Sequence, residues 1–190
     1  MRTYFILHGT GGHQFENWFP WLWSKLESRG EKCFVPQFPA GEGQNYKQWK
    51  TILKGYYDAG LIDENTVFIG HSLGCVFATR FVVEMRIDVA GIVAVSGFNG
   101  NGNVPEINAL NESFLTTNRK LAKVSKFVKF FHCIYSDNDP YLQIELLEDF
   151  AKTVGAKVHQ IEGAGHLNSS AGYNEFPFLL ELLDKIDTII

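Results

Sequence analysis

Short unbroken apolar runs alternate along the chain with longer stretches in which apolar residues return every three or four positions. Runs of the first kind, at residues 3–7, 32–38, 66–69, 89–95, 127–135 and 157–161, are too short for helices. They read as strands covered on both faces. Stretches of the second kind predict helices at residues 17–29, 46–57, 73–85, 141–154 and 176–186. In the first of these, Trp18, Trp21, Leu22 and Leu26 form one stripe, with Asn17 placed to cap it and Gly30 to stop it. Phe19 and Trp23 fall on a second stripe that the same core face cannot absorb, which makes them candidates to wall a pocket.

Strands alternating with helices in this rhythm predict an α/β fold, an open and mostly parallel sheet with helices on both faces. In such sheets the residues just past the carboxyl ends of strands gather at one edge, whatever their separation along the chain. Thr10, Ser72, Asp139 and His166 each follow a strand and can therefore converge. Residues 98–118 break the alternation with an Asn- and Gly-rich passage. It is expected to form a short inserted loop or cap over the site, opened by Phe98, within one domain spanning residues 1–190.

The run Thr66-Val67-Phe68-Ile69 enters Gly70-His71-Ser72-Leu73-Gly74 and resumes as a helical pattern. A strand, a turn tight enough to demand glycine, and a helix make a nucleophile elbow that lifts the Ser72 hydroxyl clear of the sheet. A serine hydroxyl is a weak nucleophile and needs a base within reach, for which histidine is the natural choice. Of six histidines, His132 and His159 lie inside predicted strands, His71 is locked in the elbow and expected to point away from Ser72, and His8 and His13 flank a Gly-rich loop. His166 sits in a glycine-rich turn after the last strand, so it is the expected base. The carboxylate that must orient it comes from the turn after the preceding strand, where Asp137 and Asp139 compete. Either could instead cap the following helix. Pro140 fixes the backbone of Asp139 and favours it, while spacing alone leaves the choice open. Oxyanion donors are expected from the N–H of Leu73 and from that of Thr10, with Gly11 as the fallback. Gly11, Phe19, Trp23 and Phe98 are the candidate pocket residues.

Bulk properties narrow the partners. A 190-residue chain with 45% hydrophobic content buries one good core. A net charge of -4, with lysines and arginines spread along the chain, offers no general attraction to nucleic acid or anionic lipid. Cys33, Cys75 and Cys133 stand apart in apolar runs without metal-ligand spacing, so buried free thiols are expected, with no metal or cofactor. With no leader-like or membrane-length segment, a cytoplasmic protein is expected. The substrate expected from this chemistry is a small-molecule ester or related acyl compound. The rival class is a protein-binding module on a hydrolase scaffold.

Taken together, the His8–Gly12 loop, Asn17-Trp18-Phe19-Pro20-Trp21-Leu22, the elbow, Val95-Ser96-Gly97-Phe98, Asp139-Pro140 and Gly165-His166 resemble the small α/β-hydrolases of the retinoblastoma-binding-protein and YdeN-like type, over nearly the whole chain. The resemblance implies a Ser72, Asp139, His166 triad, which tips the acid from Asp137 to Asp139. It also implies a six-stranded sheet in the order 2-1-3-4-5-6. One departure is visible: Tyr141-Leu142-Gln143 follows Asp139-Pro140 where the family tends to carry a second proline.

Overall fold

The structure, a computed structural model, describes residues 2–187. Six strands, β1 (Thr3–Leu7), β2 (Lys32–Phe34), β3 (Thr66–His71), β4 (Val89–Val95), β5 (Val128–Ser136) and β6 (Lys157–Ile161), form one sheet in the order β2-β1-β3-β4-β5-β6. Every neighbouring pair is parallel. This is the order the family resemblance implied. β3 and β4 lie at the centre and are buried along their whole length, which is why they read as unbroken apolar runs.

Parallel neighbours require a crossover, and the helices supply it on both faces. Helices α2 (Tyr46–Asp58), α3 (Leu73–Met85) and α6 (Ile144–Val154) cover one face, where Trp49, Leu53, Phe77, Phe81, Leu147 and Phe150 share a core. Helices α1 (Phe19–Glu27) and α7 (Pro177–Asp187) cover the other through Leu22, Leu26, Leu179 and Leu183. Among the described residues no helix is long and apolar enough to cross a membrane. All three cysteines are buried and unpaired, as expected.

Several boundaries differ from the sequence reading, each for a local reason. β2 stops at Phe34 rather than Phe38, because Pro36 has no N–H to give the sheet and Phe38 donates its own to His8 Nε2 at 3.1 Å. α1 begins at Phe19 because Asn17 adopts φ 51°, and its Oδ1 accepts the Ser169 N–H rather than capping the helix. α6 starts at Ile144, since the N–H groups of Tyr141 and Leu142 are taken by Asp139 Oδ1. Within residues 98–118 the chain forms helix α4 (Pro105–Asn111) and a 3₁₀ turn at Glu112–Phe114, and then starts helix α5 (Asn118–Leu121). Buried Phe114 and Leu121 anchor this segment to the core beside α3. Charge is also less dispersed than the sequence suggests. Arg86, Arg119, Lys120, Lys123 and Lys126 line one groove. It lies by the C-terminal end of α3 and the start of β5, at the sheet edge away from Ser72.

Candidate active site

The site lies at the carboxyl edge of the sheet, where β3 turns into α3. Ser72 occupies that turn with φ 55° and ψ -121°, a strained conformation for a residue with a Cβ. Tight backbone approach holds it there. A Cβ on Gly74 would come within 2.4 Å of the Leu7 carbonyl oxygen, and one on Gly70 within 2.7 Å of the Cys75 nitrogen. A Cβ on Gly9 would meet the Ser72 Cβ at 2.9 Å, so only glycine lets the loop after β1 lie beside the serine. Strain recurs around this edge, with positive φ also at Asn17, Ser96 and Leu167.

His166 and Asp139 meet across the ends of β5 and β6. The Nδ1 of His166 stands 2.6 Å from Asp139 Oδ2, and both side chains are almost wholly buried. The other carboxylate oxygen of Asp139 accepts the Tyr141 and Leu142 N–H groups at 2.9 and 3.2 Å. Asp139 thus contacts the histidine through one oxygen and holds the turn before α6 through the other, whereas the helix itself starts later, at Ile144. Asp137 is exposed and accepts the Gly163 N–H at 2.8 Å. Its neighbour Asn138 accepts the Gly165 N–H at 2.7 Å, so the acid turn also shapes the loop that carries His166.

The other five histidines differ in their partners and burial. His71 Nε2 lies 3.0 Å from the His166 backbone oxygen; a carbonyl can only accept, so His71 carries its proton on Nε2. Ser96 Oγ donates to the same carbonyl at 3.3 Å. Burial pushes the His71 pKa down to about 3, helped by the neighbouring His166 ring, so His71 stays neutral. His8 gives Nδ1–H to the Gly9 carbonyl at 2.9 Å and accepts from Phe38 through Nε2, and burial lowers its pKa as well. His132 and His159 pair with each other, nitrogens 2.8 Å apart. His13 is exposed on the loop after β1.

Leu73 opens α3, so its N–H has no acceptor within the helix. Thr10 lies across the Gly9 contact, and its hydroxyl donates to Asn111 Oδ1 at 2.6 Å. The Gly11 N–H, the fallback donor, is bonded instead to Gln44 Oε1 at 2.9 Å. Gln44 Nε2 in turn reaches Leu110 O at 3.2 Å and Asn111 Oδ1 at 3.3 Å. A buried amide pair therefore ties the loop of Thr10 and Gly11 to α4. Neither Asn111 nor Gln44 was singled out by sequence, since 101 residues separate Thr10 from Asn111 and no spacing rule links them.

Ser72, His166, Gly9 and Thr10 open onto one cavity of about 320 Å³. The lining includes the apolar side chains of Phe98, Val104, Ile107 and Leu142 and the polar ones of Glu16, Asn17, Asn168 and Ser170. Of the expected pocket residues, Phe98 lines this cavity, and Phe19 and Trp23 do not. Phe19 is fully buried beneath the site, edge-on to Trp18 at 4.7 Å and to His71 at 6.0 Å, in a core to which α7 also contributes. Trp23 faces a separate surface groove with Phe15 and Pro20, its Nε1 donating to the Cys33 carbonyl at 3.1 Å. Gly11 is exposed outside the cavity wall. Tyr141, not anticipated, packs edge-on to His166 at 5.0 Å. Among the described residues no three His, Cys, Asp or Glu side chains gather as a metal-binding group.

A family model described as serine hydrolase matches residues 4–185. YdeN of Bacillus subtilis strain 168, a hydrolase by name, is 26% identical over 184 residues, covering 96% of this chain and 94% of that protein. The serine hydrolase RBBP9 of Rattus norvegicus is 22% identical over 186 residues, with 96% and 94% covered. The crystal structure of the B. subtilis ydeN gene product superposes with a TM-score of 0.86 at 25% identity, covering 99% of this chain and 100% of that one.

Proposed function

The chain belongs to the serine hydrolase family and is a hydrolytic enzyme, and from that premise we propose that it cleaves a small carboxylic ester through an acyl-serine intermediate on Ser72. The observation that carries this is the 2.6 Å contact between His166 Nδ1 and Asp139 Oδ2, at the rim of the cavity onto which Ser72 opens.

In this reading His166 Nε2 takes the Ser72 proton as Oγ attacks the ester carbonyl, and Asp139 stabilises the imidazolium that forms. The Thr10 and Leu73 N–H groups receive the charge that grows on the carbonyl oxygen. As the tetrahedral intermediate collapses, His166 returns the proton to the departing alcohol, and the acyl group stays on Ser72. Water activated by the same imidazole then releases the acid and restores the serine. The apolar side chains of Phe98, Val104, Ile107 and Leu142 in the lining suit the acyl chain. A cavity of about 320 Å³ is near the lower limit for ligand clefts, which run from about 300 to 1,000 Å³, and suits a short chain.

Aryl esters graded by acyl length test the proposal. Turnover should be highest for short acyl groups, fall as the chain outgrows the cavity, and drop by about a millionfold in Ser72→Ala. Equal rates for wild type and Ser72→Ala contradict it.

A further inference from the structure

The basic groove, of about 730 Å³, lies at the far end of α3 from Ser72, with the 13 residues of that helix, a length of about 20 Å, between them. Arg86, Arg119, Lys120, Lys123 and Lys126 line it together with one carboxylate, Glu84. Five cations against one carboxylate leave the groove at +4; in a chain of net charge -4, the rest of the molecule then carries -8.

These cations are not balanced from within the fold. Glu84 is already engaged by Lys120, by Lys50 at 2.7 Å, and by Arg80 Nε and the Tyr46 hydroxyl at 2.8 Å. Among the described residues, the side chains of Arg86, Arg119, Lys123 and Lys126 make no ion pair. Cations near helix ends answer the helix dipole, but α5, which carries Arg119 and Lys120, is four residues long, and Lys123 and Lys126 sit in the 3₁₀ turn Ala122–Lys126 that follows. Three residues make one turn of a 3₁₀ helix, so Lys123 and Lys126 project to the same side, the side of the groove.

We infer that this groove binds a compact polyanion of the polyphosphate class, presenting three or four negative charges. An extended polyanion, such as a nucleic acid or an anionic membrane, would run beyond the groove and be repelled by the negative remainder of the molecule. A compact one stays within it. Arg86 and Arg119 supply forked donors that match phosphate oxygens, and the lysines supply point charges. The volume lies within the range of small-molecule clefts, about 300 to 1,000 Å³. Phe127 adds an aromatic ring to the lining, so the same chemistry has two sources, a nucleotide or a free polyphosphate.

Isothermal titration calorimetry of the whole protein with inorganic triphosphate tests this. One equivalent should bind at low salt, with affinity falling steeply as salt rises. Arg86→Gln with Arg119→Gln, and separately Lys123→Gln with Lys126→Gln, should each weaken binding by about tenfold or more. Lys25→Gln in α1, on the other face of the sheet, with Lys32→Gln in the edge strand β2, lowers the net charge equally and should change affinity by less than about twofold. Circular dichroism checks that each variant keeps the fold. Adenosine triphosphate that binds more tightly than inorganic triphosphate, and loses that margin in Phe127→Leu, marks a nucleotide as the source. Equal binding of the two marks a free polyphosphate, and either result supports the inference. It is overturned by the absence of saturable binding at low salt, by equal losses in all three double variants, by citrate binding as tightly as triphosphate, or by a DNA oligonucleotide binding more tightly.

Discussion

The imidazole of His71 stands against that of His166, centroids 4.9 Å apart and planes 62° to one another, with its Nε2–H on the His166 backbone carbonyl. The residue next to the nucleophile in sequence thus supports the proposed base from below. Being neutral, it does so without placing a second positive charge beside the imidazolium that forms during attack.

Acid should destabilise the fold through this pair. The ordinary pKa of 6.5 applies to His71 in the unfolded chain, against about 3 when folded. Between those values the unfolded state binds the extra proton, so the contribution is whole above pH 6.5 and shrinks as pH falls towards 3. At pH 5 the loss from His71 alone is roughly 2 kcal/mol, and His132, pushed down to about 4, adds in the same direction. Melting temperature should fall by several degrees between pH 7 and pH 5. His71→Gln, which keeps a donor for the His166 carbonyl but does not titrate, should show a visibly shallower fall.

Asp139→Asn should lower kcat by about 10⁴ while leaving the fold intact. The amide oxygen can still cap Tyr141 and Leu142, but the amide nitrogen presents a donor to His166 Nδ1. That forces the imidazole proton onto Nε2, where it can no longer accept from Ser72. Asp137→Asn keeps an acceptor for Gly163 and should change kcat by less than about twofold. Steady-state kinetics of the two variants, with circular dichroism for folding, distinguish the roles; the reverse ranking reassigns the acid.

Gln44→Ala removes the acceptor of the Gly11 N–H and a donor to Asn111, loosening the loop that carries Thr10. An oxyanion donor that is no longer held in place should cost roughly ten- to a hundredfold in kcat, with KM changed far less. Stability should drop by only about 1 kcal/mol for the lost hydrogen bonds. A fall confined to KM would show that Gln44 serves binding instead.

Gly74→Ala should be among the most damaging single-methyl additions to this protein. Its Cβ would press on the Leu7 and His8 carbonyl oxygens at 2.4 and 2.8 Å, which belong to β1 and its exit and cannot move aside separately. A loss above roughly 3 kcal/mol is expected by chemical denaturation. Gly55→Ala, at an open position in the middle of α2, should be neutral or slightly stabilising by comparison.

The features legible in the sequence are those governed by local rules or by the periodicity of burial. Doubly covered strands read as apolar runs, and strand alternation with helices announced a parallel sheet. The elbow was visible because Gly70 and Gly74 are demanded by backbone contact, not by side-chain chemistry. Features set by contacts distant along the chain were not legible. Phe19 looked surplus to the α1 stripe, and α7, far along the chain, contributes to the core that buries it. Asn111 and Gln44 read as ordinary loop polars, and only the folded chain brings them to Thr10 and Gly11. Spacing alone did not separate Asp137 from Asp139, and the family resemblance favoured Asp139; in the folded chain the Asp139 carboxylate meets His166 and that of Asp137 meets the Gly163 N–H.

Ser72 as a nucleophile that takes a covalent group from its substrate is open to intact-protein mass spectrometry after exposure to a fluorophosphonate, which phosphonylates an activated serine with loss of fluoride. The expected result is a single adduct per chain, mapped by peptide digestion to Ser72, absent from Ser72→Ala and formed far more slowly in Asp139→Asn. Folded wild-type protein that gains no adduct at any probe concentration, or an adduct that persists in Ser72→Ala, contradicts it.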